Sequence, residues 1–457
     1  MFEKRHVVIR EYRQLVKLAV PITIGQIALI ATGFVDTIMA GRISPLALGA
    51  IAVGANLWIP VYLFAVGLMM AVSSMVSHYF GAGQTSAIRD LIKQSLLVSV
   101  VLGLLGFFSV RLLSGVMDWV GIDEGIVPVA TGYLYAVSWG IPAVCAYLAL
   151  RFVSEGIGYT RPMMVIQLIG LAINVLLNYI LMFGKLGVPA MGAVGAGWAT
   201  AAVMWINLLM LVVYIFAHHR YADIWQSERL KPDWKRTKEM LRLGLPIGLT
   251  LVNEVGMFSA VGLLMGSLGV IEVAAHQIAI NFAGMMFMIP LGISAATTIR
   301  VGHALGERRP AGARFRGLAG ISLAGMCMFA TASIMLLFPD LIVSIYSKDA
   351  DVATMAVTLL FMAAIFQLSD GIQVSAAGAL RGMKDTLYPL LVSVVAYWFV
   401  GLPFSYYLGI NRAFGPQGLW MGLVASLTLA AVWLVWRFWR VSKISLKNTP
   451  ETHPEPR

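Results

Sequence analysis

Long runs of apolar residues, separated by short polar or Gly/Pro-rich breaks, dominate the chain. Many runs have about 20 residues or more, which is the length that an α-helix needs to cross a bilayer. Twelve runs of this kind predict twelve transmembrane helices. The predicted spans are roughly 14–40, 46–78, 88–115, 125–155, 160–184, 190–217, 239–268, 271–304, 312–338, 350–381, 386–410 and 415–441.

The composition supports an all-α integral membrane protein. Hydrophobic residues make up 59% of the chain and charged residues only 12%, whereas soluble domains have about 45–50% and about 25%. An ordinary soluble enzyme and a disordered protein are therefore excluded. The two cysteines, Cys145 and Cys327, lie inside apolar runs, so no disulfide framework is expected. The first apolar run is too long for a signal peptide and predicts a retained helix.

The net charge of +11 comes from residues that lie mainly on one predicted side of the membrane. If the N-terminus is inside, 28 of the 33 Lys and Arg residues fall in cytoplasmic segments. Cytoplasmic loops carry such an excess, so both termini are predicted to be cytoplasmic. The basic charge thus indicates topology and attraction to anionic membrane lipid, and no nucleic-acid partner is expected.

The two halves of the chain resemble each other. Residues 13–81 align without gaps on 238–306, an offset of 225, with 11 of 69 positions identical, among them Pro21/Pro246 and Gly67/Gly292. Because six helices separate the copies, both halves enter the membrane in the same sense. Two six-helix bundles related by a parallel pseudo-two-fold axis are predicted, an arrangement found in secondary transporters.

The predicted domain boundaries follow from this repeat. They are an N-lobe at 1–217, a cytoplasmic linker at 218–238, a C-lobe at 239–441 and a cytoplasmic tail at 442–457.

Three acids, Asp36, Glu254 and Asp370, lie inside predicted spans. An acid at a helix centre costs about 2.5–3.5 kcal/mol, so such residues usually face a cavity and carry function. From the helical rise, Glu254 is near mid-span, Asp370 about 7 Å to its cytoplasmic side, and Asp36 about 14 Å toward the outside. An outer-rim carboxylate remains an alternative for Asp36. No Lys or Arg is expected at comparable depth, so a structural ion pair is not expected.

The repeat did not duplicate these acids. The equivalent positions in the opposite half hold Val261, Leu29 and Val144. A carboxyl group removed from water takes up a proton more readily, and in its ionised form it attracts a cation. A site that holds either a proton or a cation can couple their movements in opposite directions. The three acids are therefore predicted to couple transport to protons or cations.

Asn174 and Asn178 lie four residues apart on one face of the fifth span. They are candidates for the substrate cavity, and ordinary hydrogen bonding between helices is the alternative.

Four stretches resemble the multidrug and toxic compound extrusion (MATE) family in its NorM-like branch. They are FVDTIMAG (34–41), AAHQIAINF (274–282), IRVGHALG (299–306) and GALRGMKDT (378–386). The resemblance covers essentially all twelve spans. It implies two six-helix bundles facing each other in a V, and an exporter of organic, mostly cationic drugs and dyes driven by protons or sodium.

The resemblance also implies roles for individual residues. Asp36 matches the N-lobe acid, with Asn174 and Asn178 in the same cavity, and Glu254 and Asp370 match the C-lobe acids linked to cation binding. The predicted substrate cavity further includes Gln277, Phe366 and Gln367.

One position departs from the pattern of sodium-binding relatives, which carry a Tyr where this chain has Phe366. A hard cation prefers oxygen ligands, and Phe366 offers none. Protons are therefore the favoured coupling ion, and sodium held by Glu254 and Asp370 is the alternative. No cofactor is expected, and the chain is expected to function as a monomer.

Three rival functions remain. A flippase for lipid-linked saccharides would need Lys or Arg in the cleft to bind a pyrophosphate. An intramembrane enzyme would need a motif such as HExxH or a Ser/His pair at matching depth, and neither occurs. A channel would use a symmetric ring of charges rather than acids divided unequally between two halves.

Overall fold

The structure, a computed structural model, describes residues 2–218, 221 and 233–448. Its α-helices are α1 Phe2–Gly41, α2 Pro45–Gly81, α3 Thr85–Leu113, α4 Val116–Val120, α5 Val127–Ser138, α6 Ile141–Ile157, α7 Arg161–Phe183, α8 Gly192–Ala217, α9 Trp234–Gly266, α10 Val270–Gly306, α11 Pro310–Leu337, α12 Pro339–Tyr346, α13 Ala350–Gly382, α14 Leu387–Val394, α15 Leu402–Tyr406 and α16 Gly415–Asn448. Within the described residues there is no β-strand.

Eleven helical segments in the described part of the chain are long and apolar enough to span a membrane, and α5 with α6 makes a twelfth. The chain bends by 43° between these two helices, whereas the sequence predicted one uninterrupted span over 125–155. The break lies at Trp139–Gly140, and Pro142 follows at the start of α6. Proline has no backbone N–H to donate to the preceding turn, which favours a break there. The all-α membrane fold is confirmed.

The eleventh predicted span is a continuous helix of mixed type. Between α14 and α15, and again after α15, the chain forms π-helix at Val395–Gly401 and Tyr407–Asn411. Widened π turns change the direction of the side chains that follow and often occur at functional sites. Tyr397, a residue of the candidate site described below, lies in the first π segment.

The chain divides into two compact units. The C-unit consists of Met1–Thr23, Ser77–Gly83 and Asn253–Arg457, and the N-unit consists of Ile24–Val76 and Gln84–Val252. Both α1 and α9 therefore contribute to both units. The predicted lobes stay a prediction, since residues 219–220 and 222–232 of the predicted linker and residues 449–457 of the predicted tail lie outside the described part.

In the C-unit, α10, α13 and α16 pack around a core that includes Trp420, Tyr397 and Phe366. Small residues allow the helices to approach closely, as is common in membranes. A Cβ atom on Gly378 of α13 would lie 2.5 Å from the backbone oxygen of Ser294 on α10. The two helices thus pack backbone against backbone at Gly378.

In the N-unit, α7 packs on α8, and α6 packs on α3 and α8. Gly195 of α8 allows the same close approach, because a Cβ atom there would lie 2.7 Å from the backbone oxygen of Leu181 on α7. A buried ion pair on α6 joins Arg151 Nε to Glu155 Oε1 at 2.6 Å. As expected, Cys145 and Cys327 are free thiols.

Candidate cation-coupling sites

Asp36 is the predicted coupling acid of the N-unit, and it is buried among polar side chains. It lies on α1 and is 5% exposed. Asn178 of α7 donates a hydrogen bond from Nδ2 to Asp36 Oδ1 at 2.5 Å. Thr200 of α8 donates from Oγ1 to Oδ2 at 3.2 Å. Three helices therefore hold one carboxyl group in place.

Asn174 extends this network by one helical turn. Residues four apart share a face of a helix, and Asn178 Nδ2 also donates to Asn174 Oδ1 at 3.0 Å. Both amides are fully buried. Among the described residues, Asn174 Nδ2 and Asn178 Oδ1 have no hydrogen-bond partner. The N-unit thus offers one buried carboxyl with a spare amide donor and acceptor beside it.

The N-unit site also has an aromatic side. Tyr133 of α5 lies within electrostatic range of Asp36. Its hydroxyl accepts a hydrogen bond from Trp58 Nε1 of α2 at 3.3 Å. Aromatic rings next to a carboxylate can attract an organic cation through their faces.

The C-unit contains the other two acids. Asp370 of α13 is 4% exposed, and Glu254 of α9 is half-buried. The two carboxyl groups are close enough to interact electrostatically, and Tyr397 is within range of both. Among the described residues, Asp370 Oδ1 has no hydrogen-bond partner. Two neighbouring carboxyl groups repel each other when both are ionised, so a proton or a cation close to them is favoured.

The expectation that no basic side chain approaches the acids is wrong for Glu254. Arg381 of α13 is 7% exposed and interacts electrostatically with Glu254. Its Nη2 donates a hydrogen bond to Ser294 Oγ on α10 at 2.8 Å. Arg381 lies near the end of its predicted span, and depth along the helix axis did not account for the length of its side chain.

The other predicted C-unit residues differ in their surroundings. Phe366 is buried one helical turn before Asp370, and its ring contacts those of Phe258 and Trp420, with centroids 5.8 Å and 5.6 Å away. Gln367 is buried and donates from Nε2 to the backbone oxygen of Ala283 at 3.3 Å.

Gln277 on α10 is exposed, whereas the neighbouring His276 is buried and its ring lies 5.6 Å from that of Trp420. The eight predicted site residues are divided between the two units. Asp36, Asn174 and Asn178 lie in the N-unit, and the other five lie in the C-unit.

Thr200, Tyr397 and Arg381 also lie at these sites and are absent from the residues predicted from the sequence. Only Arg381 carried a usable signal, because it is a charged residue within the GALRG stretch of a predicted span. Thr200 and Tyr397 are ordinary residues of apolar helices, and their importance follows from the packing of helices that are distant in sequence.

The comparison with protein families agrees with this division into two related halves. The MatE family model matches the chain twice, over residues 21–180 and 246–407. The two matches begin at positions 225 apart (246 minus 21), which is the offset of the internal repeat. The chain belongs to the MatE family. The resemblance to MATE transporters is thereby confirmed, as is the duplication.

Two curated relatives match nearly all of the chain. It is 41% identical over 428 residues to the "Probable multidrug resistance protein NorM" of Xanthomonas campestris pv. campestris, covering 93% of each chain. It is 40% identical over 436 residues to the "Multidrug resistance protein MdtK" of Yersinia pestis, covering 93% of this chain and 95% of the relative.

Solved structures of MatE proteins share the fold. One is described as the "Outward-facing conformation of a multidrug resistance MATE family transporter of the MOP superfamily", with a TM-score of 0.89, 20% identity, and coverage of 96% of this chain and 97% of that one. Another, the eukaryotic MATE transporter AtDTX14, has a TM-score of 0.87 at 17% identity and covers 97% of this chain and 100% of its own.

Proposed function

We propose that this MatE protein exports organic cations across the bacterial inner membrane in exchange for protons, by alternating access. The observation that carries the proposal is the division of the three predicted coupling acids between the two units, with Asp36 in one and Glu254 and Asp370 in the other. The curated relatives are named as multidrug resistance proteins, which agrees with a multidrug efflux transporter.

Asp36 has the properties of a group that exchanges a proton for a cation. Hydrogen bonds from Asn178 and Thr200 stabilise the ionised carboxylate, whereas removal from water disfavours it. A bound organic cation stabilises the carboxylate further, and a proton abolishes its charge. Cation and proton therefore compete for one group, which is the minimum that antiport requires.

The same reasoning extends to the C-unit. We propose that protons arriving from the outside neutralise Asp36 and Asp370, and that this neutralisation releases the bound cation outward. The proton then leaves to the cytoplasm and the cycle restarts. The half-buried Glu254 holds the counter-charge that Arg381 requires in the interior.

Protons are proposed over sodium because of the surroundings of Asp370. Sodium would need several oxygen ligands, and the side chain one turn before Asp370 is the apolar Phe366, packed between Phe258 and Trp420. A proton needs only the carboxyl itself. Sodium at Glu254 and Asp370 is the alternative that the experiment below separates.

The flippase alternative is disfavoured because the buried arginines already interact with carboxylates. Arg151 is already paired with Glu155 at 2.6 Å, and Arg381 is within electrostatic range of Glu254. A pyrophosphate would have to compete with these carboxylates for the guanidinium groups. Unlike these arginines, Asp36 and Asp370 form no ion pair among the described residues, and this arrangement suits cationic cargo.

The test is ethidium transport in proteoliposomes under a proton gradient and a sodium gradient imposed separately. A proton gradient alone should drive ethidium movement, and a sodium gradient alone should not. Movement with sodium only would establish the alternative coupling ion. No movement under either gradient, with folded protein confirmed by its melting curve, would reject cationic-drug antiport and direct attention to lipid-linked cargo.

A further inference from the structure

The first helix of each repeat begins in the unit that contains the rest of the other repeat. The start of α1, up to Thr23, belongs to the C-unit, and the remainder of α1 belongs to the N-unit. Conversely, α9 starts in the N-unit and passes into the C-unit after Val252. Each helix contains a proline close to this change, Pro21 in α1 and Pro246 in α9.

An ion pair ties the start of α1 to the C-unit. Glu11 is 7% exposed, and Arg300 of α10 donates from Nε to Oε1 at 2.8 Å and from Nη2 to Oε2 at 2.5 Å. Arg316 of α11 adds a second positive charge, with Nε 3.8 Å from Glu11 Oε2. Charged pairs with two parallel hydrogen bonds are among the stronger polar contacts in proteins.

A second ion pair ties the start of α9 to the N-unit. Arg236 Nη2 lies 3.2 Å from Asp90 Oδ2 on α3. Its Nη1 donates to the backbone oxygen of Ala87 on the same helix at 2.8 Å. The Arg236 side chain is 24% exposed and the Asp90 side chain 43% exposed, so water screens this pair more than the Glu11–Arg300 pair.

The longer contact, Glu11–Arg316 at 3.8 Å, is equivalent under the repeat to the Arg236–Asp90 pair, but their polarity is opposite. Arg300 minus 225 is Met75, so the Glu11–Arg300 pair has no charged counterpart at that position in the other half. Glu11 plus 225 gives Arg236, and Asp90 plus 226 gives Arg316, an offset within one residue of that of the aligned segment. Duplication of one ancestral contact would preserve the charge at each position. Here an attraction between the same two helix positions is present in both halves, although both charges are reversed. The attraction itself is therefore the property common to the two halves.

Glycine contacts show the same two-fold relation farther along the same helices. A Cβ atom on Gly292 of α10 would lie 2.1 Å from Thr23 Oγ1 of α1. A Cβ atom on Gly67 of α2 would lie 2.5 Å from the Cα of Gly248 of α9. Gly67 plus 225 is Gly292, and Thr23 plus 225 is Gly248. Each start segment thus packs closely along its partner helix and is fixed at its end by an ion pair.

We propose that the pairs Glu11–Arg300/Arg316 and Arg236–Asp90 form a two-part latch, and that both parts open when the transporter exposes its buried acids to the side of the membrane that carries the N-terminus. The proposal rests on the proposed alternating access. The start segments of α1 and α9 pack closely against α10 and α2, so they do not shift gradually. Release of the ion pairs instead converts one packed arrangement of these helices into another.

A buried cysteine can report the opening of the latch. Ser77 on α2 is fully buried and lies against Gly302 of α10, two residues from Arg300. Ser77→Cys would be placed in a background in which Cys145 and Cys327 are replaced by Ala. The readout is the rate of labelling by a charged maleimide in lipid nanodiscs, where both faces of the protein are accessible.

Three variants test the latch in this background. Glu11→Gln removes one charge while preserving the shape of the side chain, and Asp90→Arg places a like charge beside Arg236. Each should raise the labelling rate by about fivefold or more, since a modest loss of attraction shifts a two-state population severalfold. The double variant Asp90→Arg/Arg236→Asp restores an attraction and should return the rate to within about twofold of the parent.

Matched controls change a neighbouring charge that faces outward. Arg13→Gln on α1 and Lys235→Gln on α9 alter exposed side chains and should leave the labelling rate unchanged. Parent-like labelling in both Glu11→Gln and Asp90→Arg would overturn the proposal, as would a failure of the double variant to restore the parent rate. An equal rise in the controls, or a rise seen only with loss of the cooperative melting transition, would also reject it.

The labelling assay is independent of transport. If the variants change the labelling rate as expected but the protein moves no ethidium under either gradient, the proposed function is rejected and the latch proposal is retained. Ethidium transport with labelling that does not respond would reject only the latch.

Discussion

At the scale of single residues, Asp36 is the group whose chemistry is best defined by its neighbours. Asn178 and Thr200 donate hydrogen bonds to its two carboxyl oxygens. Asp36→Asn removes the negative charge with little change in side-chain volume. We expect gradient-driven ethidium efflux to fall at least tenfold, about 1.4 kcal/mol, because the cation loses its counter-charge. Transport in proteoliposomes measures this effect.

A matched control for this variant is Asp118→Asn, which neutralises an exposed acid outside the site. It should transport ethidium like the parent. Asp370→Asn should behave like Asp36→Asn, again with normal expression. Normal efflux in both buried-acid variants would contradict the antiport mechanism.

Phe366 provides a test of ion selectivity at the same scale. It lies one turn before Asp370 and packs against Phe258 and Trp420. Phe366→Tyr would add an oxygen on the residue one turn before Asp370, and a hard cation gains from each oxygen ligand. We expect sodium to stimulate ethidium transport by this variant, whereas the parent should be insensitive to sodium.

Phe258→Tyr is the control for the added hydroxyl, since it changes a contacting aromatic ring on α9. Its response to sodium should equal that of the parent. If sodium already stimulates the parent as strongly as Phe366→Tyr, the interpretation of Phe366 is wrong.

Single residues also show what the sequence could predict. Asp36, Glu254 and Asp370 could be found because a charge within an apolar run is conspicuous. Thr200 and Tyr397 could not, since their place beside these acids depends on contacts between helices far apart in the chain. The role of Arg381 was missed for a different reason, namely that helix rise fixes the depth of a Cα atom but not the reach of a long side chain.

At the scale of elements, the hydrophobic pattern predicts the helices well and their interruptions poorly. The runs around 125–155 and 386–410 are continuously apolar, yet one contains the bend between α5 and α6 and the other two π-helical segments. An apolar run indicates that a segment lies in the membrane. Its local geometry depends on prolines and on packing against neighbours, which hydropathy does not encode.

The packing of α10 on α13 supports a stability prediction. Gly378→Ala would bring a Cβ atom to 2.4 Å from Ser294 Oγ and 2.5 Å from the Ser294 backbone oxygen. Since the backbone cannot easily give way, we expect a loss of about 1–3 kcal/mol. In detergent, the melting temperature should fall by about 2 °C or more.

Gly284→Ala, on α10 itself, is the comparison. Its Cβ atom would have no neighbour within 4 Å, and Ala favours a helix over Gly by about 0.5–1 kcal/mol. The melting temperature should therefore hold or rise. Equal destabilisation by both substitutions would mean that the close helix contact at Gly378 is not what limits stability.

At the scale of the whole molecule, duplication explains both the symmetry and its limits. The MatE model matches each half once, at the offset found within the sequence. The glycine contacts of the α1 and α9 start segments follow that offset, and the Glu11–Arg316 and Arg236–Asp90 contacts follow it to within one residue. The three predicted coupling acids do not follow it. Structural positions thus remain paired between the halves, while the coupling groups are specific to one half.

The distribution of basic residues leads to a prediction about the molecule as a whole. With 28 of 33 Lys and Arg residues assigned to one side, the positive-inside rule places both termini in the cytoplasm. Green fluorescent protein fused after residue 448 should therefore fluoresce in bacteria, and alkaline phosphatase fused there should be inactive. Phosphatase inserted at Gly187, between α7 and α8, should be active, because that loop is predicted to lie outside. The opposite pair of results would invert the topology, and with it the side of the membrane from which protons reach Asp36.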